Sequence, residues 1–241
     1  MPADDDETRP LTRRERLRRQ TVDEIVQRAL ELVDVDGAHG LSLASVGKAV
    51  GMTPPALYHY FASREALLDA LVTAGYTDLG TAVETAAREA ADGPAPDRLA
   101  AIAHAWRGWA LDHPRRYAML FTGSRRETVD PLESVSAISQ SMLALVTTLQ
   151  AIAPDAAGPD VGGGSALGAR AGVDQELARW GQSLGAPTAA PATLRLALST
   201  WYRVHGLVSL EIVGAFDTMG LDGERLLAAE VDGLVREAAR A

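Results

Sequence analysis

Apolar residues recur every three or four positions along most of this chain, and nowhere do they alternate over the length of a strand. Val22, Ile25, Val26, Ala29, Leu32 and Val33 form one stripe, which predicts a first helix over 21–35. Thr21 and Glu24 have the form of a capping box at its start, and Gly37 and Gly40 end it. Ser42 is placed to cap a short second helix with Leu43, Val46 and Val50 facing inward, stopped by Gly51. Thr53 is the expected cap of a third helix, with Pro54 at its first position, where a missing N–H costs nothing. Ser63 caps a fourth, carrying Leu67, Leu68, Leu71 and Val72.

Beyond residue 90 the predicted helices lengthen. One follows Pro94 and Pro96 to about residue 112, His113-Pro114 breaks the chain, and a short helix reaches Phe121. Another starts at Pro131 and ends near 153. Residues 154–168, rich in Gly, Pro and Ala, read as a flexible loop. A short helix over 173–182, a long apolar one over 194–216 and an amphipathic one over 222–240 complete the pattern. The expected fold is all-α: an N-terminal three-helix unit and a C-terminal domain of about six helices. The expected divisions are a disordered arm over 1–20, a small domain over 21–68 and a larger one over 69–241. Gly75 and Gly80 are expected to interrupt the fourth helix and let it bend.

Composition narrows the function. Hydrophobic residues make up 47% of 241, enough for a substantial core. The absence of cysteine excludes disulfides, thiolate metal sites and cysteine nucleophiles. The most apolar stretch, 194–216, carries Arg195, Arg203, His205 and Glu211, which suits a buried helix better than a membrane span. Asp4, Asp5, Asp6 and Glu7 are followed by no apolar stretch of the signal-peptide kind, so a cytoplasmic protein is expected. No HExxH, Gly-x-Ser-x-Gly or phosphate-binding loop is present, and the three glycines 162–164 lack the Lys-Ser/Thr such a loop needs. His104, His113 and His205 include no i,i+4 pair, so no enzyme, cofactor or metal site is expected.

The net charge of −9 argues against nucleic acid only as an average. Between Arg9 and Arg64 there are 9 basic and 6 acidic residues, a balance of +3, which leaves −12 for the remainder. One positive face is sufficient for phosphate attraction. Arg13, Arg14, Arg16, Arg18 and Arg19 precede the predicted first helix, as an arm able to track phosphates or enter a minor groove; a merely solvated arm is the alternative.

The most compact signal is 42–64, SLASVGKAVGMTPPALYHYFASR. Two short helices meet at a glycine turn above a third, which is the form of a helix-turn-helix, though a plain helical hairpin has the same spacing. Ile25, Ala29, Leu32, Gly37, Leu43, Val46, Ala49, Gly51 and Met52, then ALYHYF (56–61) and Ser63 to Leu67, resemble the DNA-binding domain of TetR-family regulators. Trp201, His205 and Gly206, with 105–121, are similar to the C-terminal type of that family named for a Trp-His-Gly signature.

The resemblance implies a homodimeric repressor that binds operator DNA and is released by a small effector; an effector-independent architectural DNA binder is the alternative. It also places Thr53, Pro55 and Ala56 at the start of the recognition helix, Tyr58 and His59 on phosphates or base edges, and Arg64 on a phosphate. Ser42 and Lys48 complete the candidate DNA contacts. With no asparagine in the chain, thymine methyls and DNA shape are expected to carry much of the specificity. Leu57, Tyr60 and Phe61 are expected in the core.

Trp106, Trp109, His113, Tyr117 and Phe121, joined by Met142, Trp180, Trp201 and His205, form the candidate pocket for an apolar or aromatic effector, with ordinary core packing as the alternative. The last two helices are the expected dimer interface.

Overall fold

The computed structural model describes residues 12–121, 131–153 and 164–240, with the backbone alone for 131–138 and 164–171. All regular structure among these residues is helical, in the order α1 Arg13–Asp36, α2 Leu43–Ala49, α3 Pro54–Tyr58, α4 Arg64–Glu89, α5 Ala95–Asp112, α6 Pro114–Phe121, α7 Pro131–Ile152, α8 Gly164–Ser183, α9 Pro191–Ile212, α10 Ala215–Met219 and α11 Gly223–Ala238. The C-terminal part thus holds seven helices after α4 among the described residues, against about six expected.

The first helix starts earlier than its apolar stripe suggests. Thr12, not Thr21, is the N-cap: its hydroxyl accepts from Glu15 N–H, and the Glu15 carboxylate accepts from Thr12 N–H at 2.6 Å. Thr21 sits mid-helix, its hydroxyl donating to the Leu17 carbonyl. Arginines 13 to 19 therefore lie on the first two turns of α1 instead of in a disordered arm; residues 1–11 lie outside the described residues. Arginine is a good helix former, and the capping box of Thr12 and Glu15 and the hold of Arg18 on the His59 carbonyl support this exposed extension.

The small domain packs as its pattern predicts. Ile25, Ala29 and Val33 of α1 meet Leu43 and Val46 of α2 and Leu57 of α3, all buried. Ser42 caps α2, in a box with Ser45. Thr53 stands at the N-cap of α3 but makes no capping hydrogen bond. Gly51 has φ +69°, which reverses the chain. Gly47 matters equally: a Cβ there would lie 3.0 Å from the Met52 carbonyl, so a larger residue would push the two helices of the motif apart.

In the larger domain α4 runs unbroken through both of its central glycines. Gly75 does not interrupt it; a Cβ there would lie 3.1 Å from the Leu120 side chain, so this glycine lets α6 settle on α4. The loop expected over 154–168 is helical from Gly164, and 154–163 lie outside the described residues. The helix expected over 194–216 ends at Ile212, because Gly214 (φ +73°) starts the separate turn of α10.

Leu57 is fully buried at the centre of the small domain. Leu57→Ala is expected to cost about 2–5 kcal/mol. Chemical denaturation with an amide readout in this domain would show it, and a loss below about 1 kcal/mol would contradict this packing.

Candidate nucleic-acid interface and internal pocket

The exposed side of the helix-turn-helix carries most of the residues the sequence singles out. Ser42, Lys48, Thr53, Pro55, Tyr58 and His59 are exposed, and Ala56 is half-buried. Tyr58 is 55% exposed while its neighbour Leu57 is fully buried, so consecutive positions of α3 divide between surface and core. Phe61 is buried. Tyr60 is half-buried beneath Arg18, whose guanidinium lies 5.3 Å from the ring centroid and donates to the His59 carbonyl at 3.2 Å. The arginine-bearing start of α1 is thereby tied to the end of α3.

Arg64 stands apart from this group. Its Nε donates to the Leu41 carbonyl at 2.7 Å and its Nη2 to the Ala38 carbonyl at 2.8 Å. The guanidinium is committed to the turn between α1 and α2, a use that its place at the start of a helix did not disclose.

A small apolar pocket lies between α4, α5, α7 and α9. Of the candidate effector residues it is lined by Trp106, Met142 and Trp201, together with Val83, Leu99, Ile102, Ala103, Ser141, Leu145, Thr200 and Val204, which sequence reasoning did not single out. They are aliphatic or small and carry no signal beyond helical spacing. The space is about 30 Å³, room for a single water-sized group.

Tyr117, Phe121 and His205 form an aromatic cluster beside it. Phe121 lies 4.7 Å from the ring centroids of both Tyr117 and His205, and Trp201 stacks on His205 at 5.7 Å. The Tyr117 hydroxyl meets His205 Nδ1 at 2.7 Å, Ser209 Oγ at 3.0 Å and the His205 carbonyl at 3.2 Å. A phenol has one proton and three neighbours here, so His205 Nδ1–H or the Ser209 hydroxyl must donate back. Burial pushes the Tyr117 phenol above its ordinary pKa and the His205 imidazole below its own.

Trp109, His113 and Trp180 are not among the pocket-lining residues. The Trp109 Nε1–H donates to Asp78 at 3.0 Å, and His113 Nδ1 lies 3.6 Å from Asp34. Trp180 is half-buried on α8 and packs against the core. Trp109 and His113 instead meet the carboxylates that pair with Arg116, a residue 6% exposed. Its Nε and Nη2 donate to the two oxygens of Asp34 at 2.9 and 2.6 Å, and its Nη1 to Asp78 at 3.3 Å. Arg115 donates to the Asp34 and Val35 carbonyls at the end of α1. Helix α6 thus holds the small domain with two arginines and reaches the pocket's aromatic cluster with the next residue, Tyr117. A second ionic cluster joins α5, α9 and α11: Arg107 pairs with Glu211 at 2.7 Å and with Glu224, which His104 also meets at 3.1 Å.

Comparison with known proteins bears on this geometry. A family profile described as the tetracyclin repressor-like C-terminal domain matches residues 99–234, more than half of the chain, and a second, for bacterial regulatory proteins of the tetR family, matches 25–71. The chain belongs to the TetR family. It is thus a member of a family of regulators, not of enzymes.

Among individual proteins, HTH-type transcriptional regulator Mb1846 of Mycobacterium bovis is 40% identical over 85 residues, 35% of this chain. That match spans only 36% of the relative's own length. The crystal structure of SCO4313 superposes with a TM-score of 0.68 at 32% identity, covering 92% of this chain and 98% of that one. A Rhodococcus sp. RHA1 protein of unknown function gives 0.64 at 26%, covering 96% and 97%. No helix among the described residues is long and apolar enough to cross a membrane.

The lowered pKa of His205 has a consequence for stability. The folded chain binds that proton less readily than the unfolded one, so the contribution is fully present above the ordinary value of 6.5 and is lost as pH falls below it. Thermal denaturation from about pH 8 to about pH 5 should show His205→Gln losing less stability than the parent over this window. An identical slope in both proteins would show that His205 titrates as if in water.

Proposed function

We propose that this chain is a DNA-binding transcriptional regulator that uses α2 and α3 on an operator and the pocket between α4, α5, α7 and α9 for a small effector. The observation that carries the first half is the exposed face of α3 beside the basic start of α1. A helix N-terminus is the positive end of the helix dipole, where cations are unfavourable. Five arginines within the first two turns of α1 therefore work against helix stability, and phosphate is the partner that offsets this. Thr53, Pro55, Tyr58 and His59 would face the major groove, with Lys48, Ser42 and the α1 arginines on the flanking backbone. Arg64 is left out of this set because its guanidinium serves the α1–α2 turn.

The effector reading is supported by α6. A ligand that pushes out Trp106 and Trp201 would press on Phe121 and His205, the rings packed against them, and through these on Tyr117. Tyr117 follows directly on Arg116, so its movement strains the ion pairs that fix α1. Repression relieved by ligand would then be a population shift, requiring about 5 kcal/mol of preference for the released state.

Dimerisation is supported by an exposed stripe along α9 and its C-cap residue Val213. Leu198, Tyr202, Leu210 and Val213 are all exposed, at 38, 55, 49 and 74%. Gly206 lies in the middle of the stripe, where a Cβ would meet nothing within the chain. A second copy of α9 is the partner this surface fits, and α11 flanks it. Two half-sites about one helical turn apart follow from such a dimer.

Selection of bound DNA from a random library, followed by titration of the selected site, tests the reading as a whole; failure to enrich any sequence would remove it. On that site Arg14→Ala should weaken binding and make the salt slope shallower by about one unit, whereas Thr53→Ala should change the preferred sequence. Tyr202→Glu should shift the chain from dimer to monomer at micromolar concentration in sedimentation; an unchanged dimer would place the interface elsewhere.

A further inference from the structure

Helix α3 is five residues long, and its first two positions, Pro54 and Pro55, have no N–H to donate. Thr53 adds no capping hydrogen bond. A helix this short does not hold its own shape in water, so its position comes from the contacts around it. Leu57 and Phe61, both buried, fix its inner side. At its outer end Tyr58 and His59 are exposed. The His59 carbonyl stands at the C-cap, among the acceptors that a helix end leaves without an intrahelical partner.

Arg18 supplies a partner from 41 residues earlier in the chain. Its Nη2 donates to the His59 carbonyl at 3.2 Å, and the guanidinium carbon lies over the Tyr60 ring, 5.3 Å from its centroid. A cation this close to an aromatic face is attracted to it. The planar guanidinium can serve a carbonyl and a ring together, which a compact ammonium does less well. Arg14 stands one turn earlier on α1 and lines the same open groove beside Tyr60. The two arginines carry the same charge a turn apart, and of the two it is Arg18 that bonds the end of α3.

Both contacts of Arg18 are at the surface, where such interactions add little to stability. Their effect is on orientation. Hydrogen bonds to base edges weaken steeply outside a narrow range of distance and angle. A small rotation of the His59 peptide therefore changes what α3 reads, whereas the attraction of arginines to phosphates carries no sequence information.

We infer that Arg18 is a positioning residue for sequence recognition: it fixes the end of α3 that carries Tyr58 and His59, and acts through that helix instead of on a phosphate. This rests on the reading that α3 meets the major groove, and takes Arg18 out of the set assigned to the flanking backbone. The basic start of α1 then has two duties, attraction through Arg14 and alignment through Arg18.

The test compares the full-length parent with Arg18→Ala, Arg18→Lys and Arg14→Ala. Each is titrated by fluorescence anisotropy, from about 100 to about 300 mM salt, on the selected site and on a scrambled duplex of the same length and composition. Arg18→Ala should lower the preference for the selected site about tenfold, roughly the effect of one base contact. Its affinity for scrambled DNA should stay within about threefold of the parent, with the salt slope unchanged. Arg14→Ala should weaken both duplexes alike and make the slope shallower by about one unit. Arg18→Lys keeps the charge and should recover little of the lost preference. In the free protein, Arg18→Ala should shift the backbone amide signals of residues 58–61 while those of α2 stay in place.

Arg18 is exposed, so Arg18→Ala should melt within about 3 °C of the parent, and Arg18→Lys is the second variant at the same position. Arg18→Ala that acts like Arg14→Ala on both duplexes, Arg18→Lys that restores the full preference, or unmoved amide signals at residues 58–61 would each overturn the proposal. A library that enriches no site removes the regulator reading and this proposal with it. An enriched site with any of those three results removes the proposal alone.

Discussion

The buried guanidinium of Arg116 is the constraint around which the two parts of this molecule are arranged. A charge that deep in the protein is tolerated only when its donors are matched. Asp34 on α1 takes two of its N–H groups and Asp78 on α4 takes a third. Three helices must therefore meet at one point in one geometry, and the orientation of the small domain on the larger one follows. Arg115 adds the carbonyls at the end of α1, and Trp109 donates to the same Asp78 oxygen as Arg116. Loss of either carboxylate would leave the cation short of partners, so the contact resists gradual deformation and favours discrete arrangements.

The same helix meets the pocket through apolar contact. Leu120 rests on α4 where Gly75 has no side chain, and Phe121 packs against Tyr117, His205 and Trp106. One short helix thus joins a polar anchor to an aromatic cluster. Arg107, Glu211 and Glu224 brace α5, α9 and α11 on the other side, so α6 has firm neighbours to move against.

Much of this was legible in the sequence, for identifiable reasons. The short helices of the motif were marked by Ser42, Gly51, Pro54 and Ser63, residues whose local chemistry ends or begins a helix whatever the tertiary context. Trp106, Met142 and Trp201 could be assigned to the pocket because large side chains on predicted helices must pack near one another. The start of α1 was not legible, because periodicity marks where a helix is buried and the first two turns of α1 are exposed. The partners of Arg64 and Arg116 were hidden for another reason: Ala38 and Leu41, or Asp34 and Asp78, are brought to them only by the tertiary fold. Trp109 and His113 belong to the same case. Aromatic character alone could not tell the side of α5 facing the pocket from the side facing Arg116.

The helical start of α1 changes the entropic character of the basic segment. A disordered arm would have to give up backbone freedom on meeting its target, at a cost of about 1–2 kcal/mol per residue fixed. In this chain the capping box of Thr12 and Glu15 and the contact of Arg18 with Tyr60 have already ordered it. The arginines lose only side-chain freedom on association, and the segment behaves as a rigid strut whose charges are spaced before the encounter. Such a strut forgoes the long reach of an unfolded tail. What it retains is register, since the spacing of its charges along the helix is set before any phosphate arrives.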